Sequence, residues 1–236
     1  MPECLTVKQL WFVFLKSIVS MNQNCFVMRK LITEFIGTFF LVVVIGMVVI
    51  GGKGDFAPLA IGSVLMCMIF AGAHVSGAHY NPAVTLAVLL RGRISLKEAG
   101  AYMIVQIIGA IASASVVNFL MPGKMPDVAS AMVSTSSSVV AEILGTFALA
   151  YVVLNVATAK GTTGNMFYGL SIGFTVLSMA YAFGSISGGA FNPAVAVGIS
   201  IMRLAEWSQF WVYLVGCFGG AALAALVFRI NNPEDK

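Results

Sequence analysis

Apolar residues fall in long uninterrupted runs along this chain, separated by short polar stretches. Six runs reach the roughly 20 residues that a membrane-spanning helix needs. They lie near 31–50, 57–75, 97–120, 139–158, 166–184 and 207–229. Two shorter apolar runs, near 82–90 and 193–202, sit between the second and third and between the fifth and sixth. At 1.5 Å per residue each would rise only about 14 Å, half of a hydrocarbon core of about 30 Å. The pattern predicts an all-α membrane protein with six transmembrane helices and two half-helices that enter the bilayer and stop midway.

The two short runs begin alike. Asn81-Pro82-Ala83 opens the first and Asn192-Pro193-Ala194 the second, each shortly after a Ser-Gly pair. Asparagine is a favoured N-cap, and proline suits the first helical position because its missing N–H would be unpaired there anyway. Other positions repeat as well. Gly62 matches Gly173, Tyr102 matches Tyr213 and Gly109 matches Gly220, all at the 111-residue offset of the asparagines. Glu34, Gly37 and Thr38 match Glu142, Gly145 and Thr146 at an offset of 108. A repeat with three spanning helices is odd in number, so its second copy must insert upside down. The expected organisation is an extension over 1–27, a first repeat over 28–120, a connecting loop over 121–138, an inverted second repeat over 139–230 and a tail over 231–236.

Composition narrows the class. The chain is 59% hydrophobic and only 9% charged, with a mean hydropathy of +0.96. Soluble domains carry about 25% charged residues. The net charge of +4 is spread between apolar segments and is no nucleic-acid footprint. With the N-terminus inside, ten of the thirteen Lys and Arg residues fall on the cytoplasmic side, eight of eleven without residues 1–27. This predicts both termini in the cytoplasm. Cys4, Cys25, Cys67 and Cys217 are dispersed, without metal-ligand spacing. Residues 1–27 contain a run too short to span, interrupted by Lys16, and Met28-Arg29-Lys30 directly precedes the first long segment. The extension reads as an upstream start-site artefact or a loose interfacial segment. The serine-rich run 134–138 reads as a loop and N-cap. Trp207, Trp211 and Tyr213 read as an interfacial belt.

Two half-helix starts meeting at the midplane would place two positive dipole ends together, about half an elementary charge each. Cations are repelled there. The asparagine amides supply donors, and the irregular backbone before them supplies acceptors beside a water-filled path. A small neutral molecule with donors and acceptors fits such a site. A coupled secondary transporter shares inverted repeats and broken helices, but the midplane strings hold no carboxylate. A closed structural membrane protein is the third alternative. No Ser-His-Asp set, metal cluster or phosphate-binding loop suggests an enzyme.

Taken together, the two Asn-Pro-Ala strings, their Ser-Gly approaches and the paired Glu-x-x-Gly-Thr openings resemble the aquaporins of the major intrinsic protein family, over about residues 28–230. The resemblance implies a passive channel for water or small neutral solutes, without a cofactor, assembled as a homotetramer in the lipid bilayer. The short termini and compact loops suggest a bacterial inner membrane. It implies that Asn81 and Asn192 orient the permeant and interrupt proton hopping at the pore centre. It also implies that Glu34 and Glu142 brace the loops before the half-helices, where a headgroup-level carboxylate or a proton relay are the alternatives. His79 is implied in the inner vestibule, with His74 on the same loop. The family's outer filter maps by spacing to Ile61, Ala180, Gly189 and Val195. Water-selective members carry arginine where this chain has Val195, often histidine at Ala180 and an aromatic residue at Ile61. The chain thus keeps the central donors and lacks the filter charge, which predicts a wide, apolar outer constriction.

Overall fold

The computed structural model describes residues 7–124, 126 and 134–235, with side chains from residue 27 onward. Much of the expected connecting loop, at 125 and 127–133, and the first six residues of the extension lie outside the described residues. Eight α-helices make up the described part: α1 (Val7–Ile50), α2 (Ala57–Ser76), α3 (Pro82–Leu90), α4 (Leu96–Leu120), α5 (Thr135–Val153), α6 (Tyr168–Ser187), α7 (Pro193–Ile201) and α8 (Phe210–Asn231). Six stretches are long and apolar enough to cross a membrane: Val27–Ile50, Gly54–Ser76, Leu96–Leu120, Thr135–Thr158, Tyr168–Ser187 and Trp207–Asn231. The half-helices α3 and α7 are nine residues each. The fold is the expected six-plus-two arrangement.

Boundaries differ in places, for local reasons. The backbone of residues 7–26 continues α1 as helix instead of forming a separate loose segment. Nothing in that stretch breaks a helix, since it holds neither glycine nor proline. The serine-rich run is the first turn of α5 rather than a loop: Ser134 alone is the N-cap, its Oγ accepting from the Ser137 N–H at 3.2 Å. The α5 span ends in a π-turn, Leu154–Thr158. Trp207 and Trp211 are exposed, as an interfacial belt requires, but Tyr213 is buried and its hydroxyl donates to the Ser187 carbonyl at 2.8 Å.

The repeats pack in matching ways. In the first, α1 lies against α2 and α4; in the second, α5 lies against α6 and α8. The halves meet through α2 and α6. A Cβ at Gly62 would stand 2.6 Å from the Gly173 carbonyl oxygen, and one at Gly173 would stand 2.6 Å from that of Gly62. Only glycine permits this reciprocal approach. It brings α2 and α6 together along the wall of the site described below.

The far end of α3 is held by charge. Arg91 caps α3, lies almost fully buried and stacks its guanidinium 4.7 Å from the Phe228 ring centroid. Its Nη2 donates to Asp235 Oδ1 at 2.6 Å, and Arg93 Nη2 to the same oxygen at 3.3 Å. The Lys160 backbone N–H donates to Asp235 Oδ2 at 2.7 Å. Arg229 donates to the Leu90 carbonyl. Arg229, on the Leu90 carbonyl, and the capping Arg91 thus offset the negative end of the half-helix dipole. The Lys160 N–H first, and Arg91 after it, hold the Asp235 carboxyl below the usual carboxylate range. Its contribution to stability is therefore complete above the unfolded-state value of about 3.9 and is lost as pH falls through the lower folded value. The difference in Tm between the native protein and Asp235→Asn should stay constant from neutral pH down to about pH 5 and close below about pH 4. Thermal scans across that range measure it, and a gap that persists at the lowest pH would contradict the ion-pair account.

Candidate functional site: an asparagine pair at the centre of an apolar cavity

The half-helices start as their sequences require. Asn81 is extended (φ −158°) and caps α3, its Oδ1 accepting from Ala83 N at 2.8 Å and Val84 N at 3.4 Å. Asn192 (φ −160°) caps α7 in the same way, accepting from Ala194 N at 2.9 Å and Val195 N at 3.4 Å. Pro82 and Pro193 occupy the first helical positions. Both asparagines and both Pro-Ala pairs are buried.

The two starts are joined to each other. Asn81 Nδ2 donates to the Phe191 carbonyl at 2.9 Å, and Asn192 Nδ2 donates to the Tyr80 carbonyl at 2.9 Å. Each acceptor is the residue just before the opposite asparagine. A side-chain amide carries two N–H groups. One from each asparagine is spent on this cross-link, and both residues line the cavity described below. Sequence reasoning assigned these amides to the gap alone and missed their structural half.

Glu34 and Glu142 are fully buried, in the interior of α1 and α5. Glu34 Oε1 accepts from Ser76 Oγ at 2.6 Å and His79 N at 3.0 Å, while Oε2 accepts from Tyr80 N at 2.7 Å and Gln106 Nε2 at 2.9 Å. Glu142 Oε1 accepts from Ser187 Oγ at 2.7 Å and Ala190 N at 3.0 Å. Its Oε2 accepts from Phe191 N at 2.7 Å and Cys217 Sγ at 3.6 Å. Each carboxylate thus gathers the backbone N–H groups that a left-handed turn leaves without a helical partner. Tyr80 (φ 50°) and Phe191 (φ 48°) are those turns.

The glycine three residues after each glutamate completes the motif. A Cβ on Gly37 would lie 2.1 Å from the Tyr80 ring, and one on Gly145 2.2 Å from the Phe191 ring. Residues three apart share a helix face. One face of α1 and of α5 therefore supplies both the acceptor for the loop's backbone and the space for its aromatic side chain. Tyr102 and Tyr213 close the loops from the other side, donating to the carbonyls of Ser76 and Ser187 at 2.8 Å each. Gln106 was not singled out from the sequence. Its signal was available, since Gln106 and Cys217 are matched positions of the repeat.

The repeats differ near the first string. Thr85 Oγ1 donates to the Asn81 carbonyl at 3.0 Å and contacts His79 Nδ1 at 3.1 Å and Gln106 Nε2 at 3.1 Å. The matched positions in the second repeat are Ala190, Ala196 and Cys217. A polar network thus supports one half-helix, where the other is packed by smaller groups.

A cavity of about 470 Å³ extends from Gly54 and Asp55, ahead of α2, to the asparagine pair. Ile61, Ala180, Gly189 and Val195 all stand on its wall, as does His79. His74 does not; it is exposed on α2. Among the described residues lining the cavity there is no Lys or Arg, and Asp55 is the one carboxylate. The wall is mainly aliphatic. Its polar groups concentrate at the asparagine pair and in the irregular stretches that lead to it. Among the described residues no three His, Cys, Asp or Glu side chains converge as metal ligands do.

Comparison with known proteins agrees with this architecture. The profile of the Major intrinsic protein family matches residues 20–228. "Aquaporin NIP1-1" of Zea mays is 34% identical over 217 residues, covering 88% of this chain and 76% of the maize protein. "Glycerol uptake facilitator protein-like 6" of Lactiplantibacillus plantarum is 37% identical over 222 residues, covering 88% of this chain and 100% of its own. The crystal structure of the aquaglyceroporin from Plasmodium falciparum shares the fold, with a TM-score of 0.75 at 24% identity, over 88% of this chain and 98% of that one. By the paired half-helices, their reciprocal asparagines and a match over most of its length, this multi-pass membrane chain belongs to the major intrinsic protein family.

Proposed function

We propose that this channel passes small neutral solutes of glycerol and urea size as well as water, and that its outer filter discriminates weakly among them. The observation that carries this reading is the apolar, arginine-free ring of Ile61, Ala180, Gly189 and Val195 on the cavity wall. In aquaporins, selectivity rests on pore width, lining hydrogen bonds and electrostatic barriers. Here the ring contributes little of the last two. The asparagine pair contributes the central donors, with Asn81 and Asn192 orienting the permeant.

Ion exclusion falls on the centre in this reading. The starts of α3 and α7 point their positive ends at one place, about half a charge each. Arg91 and Arg229 at the far end of α3 reduce the opposing negative end. The cavity wall beyond the ring holds no cation among the described residues, so the barrier to cations lies deep in the channel. His79 lines the inner part of the path, and Glu34 and Glu142 act as braces without touching the permeant. The lysine and arginine distribution supports cytoplasmic termini, which puts the Asp55 end of the cavity outside. The family membership supports a homotetramer, and the loop lengths support a bacterial inner membrane.

Proteoliposome swelling with water, glycerol and urea tests the reading. All three should pass with low activation energy and without saturation. Fast water flux with glycerol and urea excluded would overturn it, and saturable flux would point instead to a carrier cycle.

A further inference from the structure

The four filter positions carry little bulk. On the α6 side the wall near the mouth is built from Ala180, Gly184, Ser185 and Gly188. A Cβ added at Gly184 would meet nothing within 4 Å. One large side chain interrupts this open stretch. Tyr181, next to the filter position Ala180, lines the cavity and remains half-exposed. Its hydroxyl donates to the backbone carbonyl of Asp55, in the short 3-10 turn Gly54–Phe56 that leads into α2. The phenol therefore joins α6, which carries Ala180, to the segment before α2, which carries Ile61.

We propose that Tyr181 is the size-limiting residue of the outer mouth: a crossbar whose ring supplies the bulk that the filter positions lack. The proposal rests on the relaxed-filter reading above and sharpens it. A tethered ring narrows the opening by sterics and, with its hydroxyl already spent on Asp55, offers a passing solute an aromatic face rather than a donor. Small solutes pass beside it through the space at Gly184. Longer polyols meet it. The tether is made to a backbone carbonyl, so the Asp55 side chain is not needed for it.

The test is a polyol series in proteoliposomes: glycerol, erythritol and xylitol. The native protein, Tyr181→Ala, Tyr181→Phe, Asp55→Asn and a control, Leu170→Ala, are compared. Leu170 is an exposed α6 residue outside the cavity wall. The quantity read is the xylitol-to-glycerol permeability ratio, which does not depend on the amount of active protein. Tyr181→Ala should raise that ratio by roughly threefold or more, the direction expected when pore width sets selectivity. Tyr181→Phe, which keeps the ring and removes the tether, should fall between it and the native protein. Asp55→Asn and Leu170→Ala should leave the ratio unchanged. An unchanged ratio in Tyr181→Ala, with glycerol still conducted, would overturn the crossbar alone. A shift in Asp55→Asn equal to that in Tyr181→Ala would assign the effect to the turn rather than to the ring and also overturn it. A native protein that conducts no glycerol would overturn the relaxed-filter reading, and the crossbar with it.

Discussion

Val195→Arg should cut glycerol and urea permeability by about tenfold or more while leaving a substantial water flux, a barrier increase of about 1.4 kcal/mol or more for the larger solutes. Val195 sits in the first turn of α7, on the wall of the cavity that Ala180 and Gly189 also line. An arginine there brings a long side chain, a fixed positive charge and five donors into a ring that has none of these. Water retains partners at the guanidinium and fits beside it. A three-carbon polyol loses width, and Ala180 and Gly189 do not restore it by moving aside. The paired swelling rates of native and variant protein measure the effect. Equal loss of water and solute would mean that the side chain simply blocks the path. Unchanged solute flux would mean that these four residues are not the constriction.

The second large effect is expected at Glu142. Glu142→Ala leaves the buried Ser187 hydroxyl and the buried Ala190 and Phe191 N–H groups without their acceptor. Each buried donor left unpaired costs about 1–3 kcal/mol, and Glu142 serves three such oxygen and nitrogen donors. At about 2–4 °C per kcal/mol for a chain of this size, Tm in detergent should fall by about 10 °C or more. Conduction should fall with it, because Phe191 directly precedes Asn192. Glu34→Ala should be milder. Beside Glu34 stands Gln106, whose buried Oε1 has no partner and is free to turn toward the vacated donors. Cys217, its counterpart beside Glu142, is a poor acceptor. Thermal melts of the two variants give the comparison directly, and equal losses would show that Gln106 does not compensate.

The hydropathy pattern made the helices legible because spanning length and composition are set by the bilayer rather than by tertiary detail. The half-helices were legible for a local reason: Asn followed by Pro is a start signal on its own. The extent of α1 and the start of α5 were less so, since helix propagates through any stretch without breakers and caps act at single residues. Tyr213 shows the limit of composition. Beside two tryptophans it reads as an interfacial residue, yet its match to Tyr102 in the repeat is what foretells its buried hydrogen bond. The linkage of each asparagine to the residue before the other is a contact over 110 or more positions. No local pattern encodes it. The same holds for Tyr181, whose partner lies 126 residues away.

The reciprocal bonds of Asn81 and Asn192 also bear on how the chain is assembled. Ribosomal synthesis delivers α1 to α4 first. At that stage Asn81 Nδ2 and the Tyr80 carbonyl have no native partner, because both wait on residues 191 and 192. A chain stopped after α4 would hold unpaired polar groups at membrane depth, which hydrocarbon does not tolerate. The hydrogen bonds at the start of the first half-helix are therefore complete only when the second is in place. The centre of the pore is built by both halves together, and an isolated first repeat would lack the partners that the second supplies.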